Sequence, residues 1–463
     1  MKKKLGFWSI VLLAVNSIIG SGIFLSPGAV VKLAGTKTIY IYIIAAIFAT
    51  VLAITFAAAA KYVSHSGAAY IYAKAGFGEN IGLYVGVTRY IASCIAWGVM
   101  ATAVSKTILL ILKRNPDNFM STTSTIALIM LFVLIINVLG PVFFKFINNL
   151  ATICKILVLV IFILFGLWYV MTSHVNLFST IDTLTDANGQ ALIAKSNSTS
   201  LVMALLSAFY AFTGFESVAS GADDMDNPEK NLPLAIPLSI AIIAVIYVCV
   251  IAVSMVANPS ALVESKQVVA LVSVFNQPIV QNLILYGALI SMLGINVAAS
   301  FHSPRILESM AIQGQLPKFF CKRTKGDVPL VAFLVTAIIS IVLPMTFQYD
   351  MTSIIVLSSI SRFIQFLVVP VCVIKFFFKK GDTSLINQVT TNKYTDIIAP
   401  VLSLIMTVAL LIKFDWSGQF TISNGTTTNP NWFAISAMIV GYLFIPFAVI
   451  AFNFKNKEGK ENA

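Results

Sequence analysis

Long apolar runs separated by short polar or charged clusters dominate this chain. Cut at those clusters, it predicts about twelve spans of 20 or more mostly apolar residues, enough to cross ~30 Å of hydrocarbon at 1.5 Å per residue. They lie near 7–32, 37–61, 82–112, 122–141, 150–172, 199–221, 233–257, 281–309, 328–347, 351–378, 396–414 and 432–454. Two runs are interrupted from within: the first by Gly20-Ser21-Gly22, the sixth by Thr213-Gly214, with the acid Glu216 just beyond. Backbone left unpaired in lipid costs several kcal/mol, so a break at that depth survives only where protein buries it or it lines a cavity. Breaks opening two sets of five spans are the hydropathy signature of an inverted repeat with a binding site between its halves. The expected fold is therefore an all-α membrane protein with broken helices 1 and 6. It is one integral domain: repeat one about 7–172, repeat two about 199–378, and two extra helices about 396–454. Between spans six and seven, the polar stretch from Asp223 to Pro233 carries two prolines and predicts an aqueous loop.

Composition agrees with a polytopic membrane protein: of 463 residues 58% are hydrophobic and 10% charged, with mean hydropathy +0.92. Most Lys and Arg fall in alternate loops, among them Lys2, Lys3, Lys4, Lys74, Lys145, Lys322, Arg323, Lys379 and Lys380, whereas the opposite loops hold far fewer, such as Lys37, Lys113, Arg114 and Lys195. That asymmetry predicts a multi-pass plasma (inner) membrane protein with both termini cytoplasmic. The net charge of +12 then marks the cytosolic face and its anionic lipid, not a nucleic-acid partner. Met1 to Leu5 is like a signal n-region, but the run after it is too long and lacks a small-residue cleavage site, so it reads as the first span.

Metal and covalent chemistry find no support. The five cysteines have no ligand spacing, and His65, His174 and His302 are scattered, with no nucleophile and base pattern. No cofactor and no enzyme activity are expected. Asn197-Ser198-Thr199 and Asn424-Gly425-Thr426 match the N-glycosylation pattern, which the lean loops of a bacterial-type chain discount.

Several motifs in order carry a family resemblance: Asn16 to Phe24 (NSIIGSGIF), Phe212-Thr213-Gly214-Phe215-Glu216-Ser217, the NPEKNLP stretch after it, Ser66-Gly67-Ala68-Ala69-Tyr70, and Ala311 to Pro317. Over nearly its whole length the chain resembles the amino acid-polyamine-organocation (APC) permeases. Leu234 replaces the basic residue usual after NPEKNLP, and Ala68-Ala69 stand where Gly-Glu is commoner. The resemblance implies a leucine-transporter-like fold and a small-molecule amino acid as partner.

The chemistry of the breaks fits a zwitterion. An interrupted helix exposes N–H groups on one half and C=O groups on the other. Amides around Ser21, Gly22 and Ile23, with the Ser21 hydroxyl, would hold a carboxylate, each helix-end contribution being ~0.3–2 kcal/mol. Carbonyls near Ile18, Tyr210 and Thr213 would accept from an ammonium, and Gly214 lets the backbone approach closely. By resemblance, Tyr210 is the aromatic that covers substrate and Tyr90 an inner-gate residue, while Trp97 is structural.

Ionisable residues inside spans default to functional hypotheses. Glu216 and Arg362 are expected to pair as a gate, since each alone would cost ~2.5–3.5 kcal/mol. Arg305 and Arg89, nearer span ends, are expected to snorkel or pack. Lys155 resembles the fifth-span lysine of sodium-independent relatives, whose ammonium stands where others bind sodium; a buried lysine can also exchange a proton. Proton symport and sodium-free exchange both stay open, as does the oligomeric state. The expected function is secondary transport of L-amino acids by alternating access, neutral ones favoured. A cationic amino acid or polyamine exchanger, and a membrane nutrient sensor, are the alternatives.

Overall fold

A computed structural model describes residues 4–20, 22–186, 189–195, 197–264, 269–324, 326–349, 358, 361–424 and 427–461. The first span is two helices, α1 (Phe7–Ile18) and α2 (Gly22–Ala34). α1 ends because Ile19 leaves the helical region (φ −71°, ψ 92°) at the glycine-rich stretch. α3 (Thr38–Tyr62) is the second span, and the short α4 (Ala69–Phe77) precedes the third, α5 (Glu79–Ile111). α6 (Phe119–Val138) and α7 (Pro141–Ser173) complete the first half. Gly140 (φ +100°) turns the chain between them, and Pro141 takes a first-turn position where its missing N–H costs nothing.

The sixth span divides into α8 (Ser198–Tyr210), a turn over Ala211 to Gly214, and a 3-10 segment (Phe215–Asp224). A capping box starts α8: Asn197 Oδ1 accepts from Ser200 N at 2.7 Å and Ser200 Oγ from Asn197 N at 3.1 Å. α9 (Pro228–Ala257), α10 (Pro259–Glu264), α11 (Pro278–Ile312), α12 (Leu330–Thr346) and α13 (Phe363–Phe377) follow. After them come α14 (Ala399–Lys413), α15 (Trp416–Gln419), a hairpin of β1 (Thr421–Asn424) and β2 (Thr427–Pro430), α16 (Trp432–Ile439) and α17 (Ile445–Glu461).

The molecule is an all-α membrane protein with broken first and sixth spans. Among the described residues nine helices are long and apolar enough to cross a membrane. Three shorter apolar ones, Phe7–Ile18, Leu330–Thr346 and Phe363–Phe377, stand at the first, ninth and tenth expected spans. The expected 351–378 span lies partly outside the described residues. Leu128, Leu131 and Ile135 on α6, and Leu157, Leu164 and Leu167 on α7, are exposed, an apolar belt that a lipid environment accommodates and water would not.

Two local readings change. The stretch from Asp223 to Pro233 is not all loop, because α9 already starts at Pro228, with Glu229 in its first turn. Pro228 suits a helix start, Glu229 complements its dipole, and Pro233 withdraws only one intrahelical bond. Arg305 neither snorkels nor merely packs: Nε donates to Asp224 Oδ2 at 2.7 Å. Arg323 joins the same cluster, forking onto Glu308 at 2.6 and 2.9 Å and reaching Asp224 and Asp327 at 3.2 Å.

Around α1 the packing is close on several sides: α7, α9, α11 and the 3-10 segment all touch it. Asn16 ties three elements together, Nδ2 donating to Asn148 Oδ1 on α7 at 2.7 Å and to Gly294 O on α11 at 2.9 Å. Such hydrogen bonds between helices hold them together where lipid offers no hydrophobic drive.

Candidate functional site

The two breaks meet. Gly214 (φ +120°) lies so close to the Ser17 carbonyl that any side chain there would overlap it, and its conformation is one that side-chain-bearing residues avoid. Its N–H donates to Glu216 Oε2 at 2.8 Å, so the acid two residues on closes the turn. Gly22 seats the start of α2 on the end of α8: a Cβ there would come within 2.6 Å of Ala211 Cα.

A cavity of about 50 Å³ opens beside this contact. Ser17, Ile18 and Gly22 of the first span, Tyr210, Thr213, Gly214 and Ser217 of the sixth, and Arg362 line it. Its other walls are Arg89, Ser93, Ala96, Trp97 and Met100 on α5, and Ile295, Ala299, His302 and Ser303 on α11. Of the residues expected at the site, Ile18, Gly22, Tyr210, Thr213, Gly214 and Arg362 thus share one cavity. Ile23 is fully buried just behind Gly22, and Ser21 lies outside the described residues. The Tyr210 carbonyl already accepts from Thr213 N at 3.2 Å and Thr213 Oγ1 at 2.8 Å.

Arg362 Nη1 donates to Glu216 Oε1, so the two form an ion pair with Glu216 fully buried. Tyr90 is directed elsewhere. Its hydroxyl meets Thr336 Oγ1 at 3.2 Å, and its ring lines a separate apolar cavity of about 300 Å³ with Ile91, Leu307, Met310 and Val440. Its neighbour Arg89 enters the central cavity instead, buried to 3% exposure, with Nη2 donating to Ser217 Oγ. A step of one residue on a helix turns the side chain by about 100°, which separates the two. Snorkelling or plain packing therefore does not describe Arg89.

Lys155 is fully buried behind α1, not in the cavity wall. Its ammonium donates to Ile19 O at 2.5 Å and Asn16 O at 3.3 Å, carbonyls at the end of the interrupted α1. Sequence reasoning missed Arg89, Ser93, His302 and Ser303. Ser93 and Ser303 bond each other at 2.5 Å across α5 and α11. The Ser17 hydroxyl spends its one proton on Leu13 O at 2.7 Å and so accepts from His302 Nε2, also at 2.7 Å. A signal existed: Arg89, Ser93, Ala96, Trp97 and Met100 recur on one helical face, as do Ile295, Ala299, His302 and Ser303.

The end of the bundle nearest Leu5 is closed by bonds between segments that continue from the breaks. Leu5 N donates to Asp224 O at 3.1 Å, Asp226 N to Leu5 O at 2.9 Å, and Gly67 N to Ser220 O at 3.2 Å. Ser66 N reaches Asp223 Oδ2 at 3.2 Å, and His65 Nδ1 stands 3.8 Å from Asp223 Oδ1.

The profile of a family described as amino acid permease matches residues 5–445. An uncharacterized transporter of Mycobacterium tuberculosis is 38% identical over 456 residues, 96% of this chain and 93% of that one. The serine/threonine exchanger SteT of Bacillus subtilis is 26% identical over 68% of this chain and 70% of its own, and the branched-chain amino acid permease BcaP of the same organism 27% over 72% of each. This chain belongs to the amino acid permease family of the APC superfamily, as a multi-pass membrane transporter and not an enzyme.

Proposed function

We propose that the protein is a secondary transporter that moves L-α-amino acids across the plasma membrane by alternating access, without sodium. The observation that carries this reading is the meeting of two helix breaks around one polar cavity, at Gly214 and Ser17. The start of α2 at Gly22 and Ile23, with Ser21, receives the α-carboxylate, where helix N–H groups and the dipole favour an anion. The Ile18 and Thr213 carbonyls receive the ammonium, Tyr210 O being already engaged. Relatives named for serine/threonine and branched-chain amino acids support amino acid cargo.

Glu216 and Arg362 act as a gate beneath the cargo, and both termini face the cytoplasm, so the closed end near Leu5 is the inner one. Residues 7–172 and 199–378 serve as the two repeats, with 396–454 added. Lys155 supplies a resident cation to the Ile19 and Asn16 carbonyls, which removes the need for a sodium ion there. The expectation of neutral cargo had two grounds, no acid besides Glu216 for a cationic side chain and no basic residue for an acidic one with Arg362 occupied; Arg89 in the same cavity removes the second.

Uptake of radiolabelled L-amino acids into proteoliposomes tests the reading. Flux should persist when choline replaces sodium, and Lys155→Met should abolish most of it while the protein stays folded. A strict sodium requirement would overturn the Lys155 role, and binding without flux would favour a sensor.

A further inference from the structure

The cavity holds more positive charge than its own acid can balance. Arg89 and Arg362 both line it, 3% and 5% exposed. Glu216 is the one carboxylate in contact with them among the described residues, and both its oxygens are committed, Oε1 to Arg362 and Oε2 to the Gly214 N–H. Arg89 is left with a neutral acceptor, the Ser217 hydroxyl. The Nε–H groups of both arginines are buried without a partner among the described residues.

An uncompensated buried charge is costly, so a counter-charge is expected when the site is filled. Among the described residues no neighbour supplies it. Asp224 is shared by Arg305 and Arg323, and Glu308 is forked by Arg323. We propose, building on the amino acid reading above, that the side-chain end of the cavity takes a carboxylate and that the cargo is an acidic L-amino acid, aspartate or glutamate.

The walls argue the same way. With the α-carboxylate at the start of α2 and the ammonium at the break carbonyls, the cargo's side chain is left facing α5, α11 and Arg362. Those walls carry Arg89, Ser93, His302 and Ser303. An aliphatic side chain there would strip water from guanidinium and hydroxyl groups and return no bonds. A planar guanidinium suits a carboxylate, which it can bind through two donors at once. A zwitterion with a neutral side chain brings no net charge, and lysine or a polyamine adds to the surplus. An acidic amino acid brings a net negative charge.

Each acid and its amide isostere, L-aspartate with L-asparagine and L-glutamate with L-glutamine, should be compared on the purified full-length protein by thermal shift. The same four, with L-leucine and L-lysine, should then compete for uptake in proteoliposomes. The acids are expected to outcompete their amides by about tenfold or more. In Arg89→Gln that ratio should collapse toward unity, and in Arg89→Lys a reduced preference should remain. Should Arg89→Gln fail to fold, the isostere comparison in the native protein decides alone. Amides matching or beating the acids would overturn the acidic cargo while leaving amino acid transport standing. No response to any amino acid, in shift or flux, would overturn both.

Discussion

Gly214→Ala is the most direct probe of the contact between the two breaks. The substitution meets two obstacles. Alanine at φ +120°, ψ −24° is a strained conformation, costing about 1–3 kcal/mol. The new methyl also overlaps the Ser17 carbonyl, backbone that cannot rotate away, and such overpacking costs about 1–3 kcal/mol more. Relieving the overlap means parting the segments by on the order of 1 Å, which lengthens the Gly214 N–H bond to Glu216 and shifts the cavity wall. Gly314→Ala is the control: its φ is also positive, +76°, but a Cβ there meets nothing within 4 Å, so only about 1–2 kcal/mol of strain is expected. Thermal unfolding in detergent should rank native protein, Gly314→Ala and Gly214→Ala in descending stability, with uptake lost in Gly214→Ala alone. Equal midpoints for the two variants, with transport retained in both, would refute the contact and the site built on it.

Two further outcomes follow from the charges. Arg362→Met leaves Glu216 as a buried carboxylate without its partner and should cost about 3–5 kcal/mol and most transport; adding Glu216→Gln should restore part of the stability, whereas strictly additive losses in denaturant melts would show that the two do not couple. His65, half exposed, is held above its ordinary value chiefly by the Asp223 carboxylate 3.8 Å away. Its contribution is therefore complete below the ordinary histidine value and is lost as pH rises through the raised one; the midpoint difference between native protein and His65→Ala should shrink from acid to alkaline pH, and a difference that grows would refute the pairing.

What the sequence made legible and what it hid have separate physical causes. Glycines within apolar runs announced both breaks, because few other residues interrupt a helix in lipid without a steric penalty. Spans read well because length and hydropathy are one-dimensional properties. Which way a side chain points is not: Arg89 and Tyr90 are adjacent, and only the packing of α5 against α11 and α12 decides that one enters the cavity and the other leaves it. The helical face through Arg89, Ser93 and Met100 was available as a cue, but snorkelling explained an arginine near a span end equally well. The start of α9 was obscured for a related reason, since proline marks a helix N-terminus as readily as a loop.

The distribution of bonds along α1 suggests where motion can be accommodated. Near Leu5 the closure consists of a few backbone bonds and the Asp224, Arg305 and Arg323 cluster, which is partly open to water. Exchanging such bonds for water costs little net energy, about 0.5–1.5 kcal/mol each. Farther along α1, Lys155 and Asn16 bind it to α7 and α11 in a fully buried setting where no water replaces a lost partner. A displacement of α1 that breaks the first set and keeps the second pivots near Ile19, the residue at which helical geometry already ends. The Ser17 carbonyl abuts Gly214, the residue before the 3-10 segment, so that segment cannot remain still while α1 swings. On the transport reading proposed above, the interruption that would hold cargo is thereby also the hinge that would release it toward the Leu5 end.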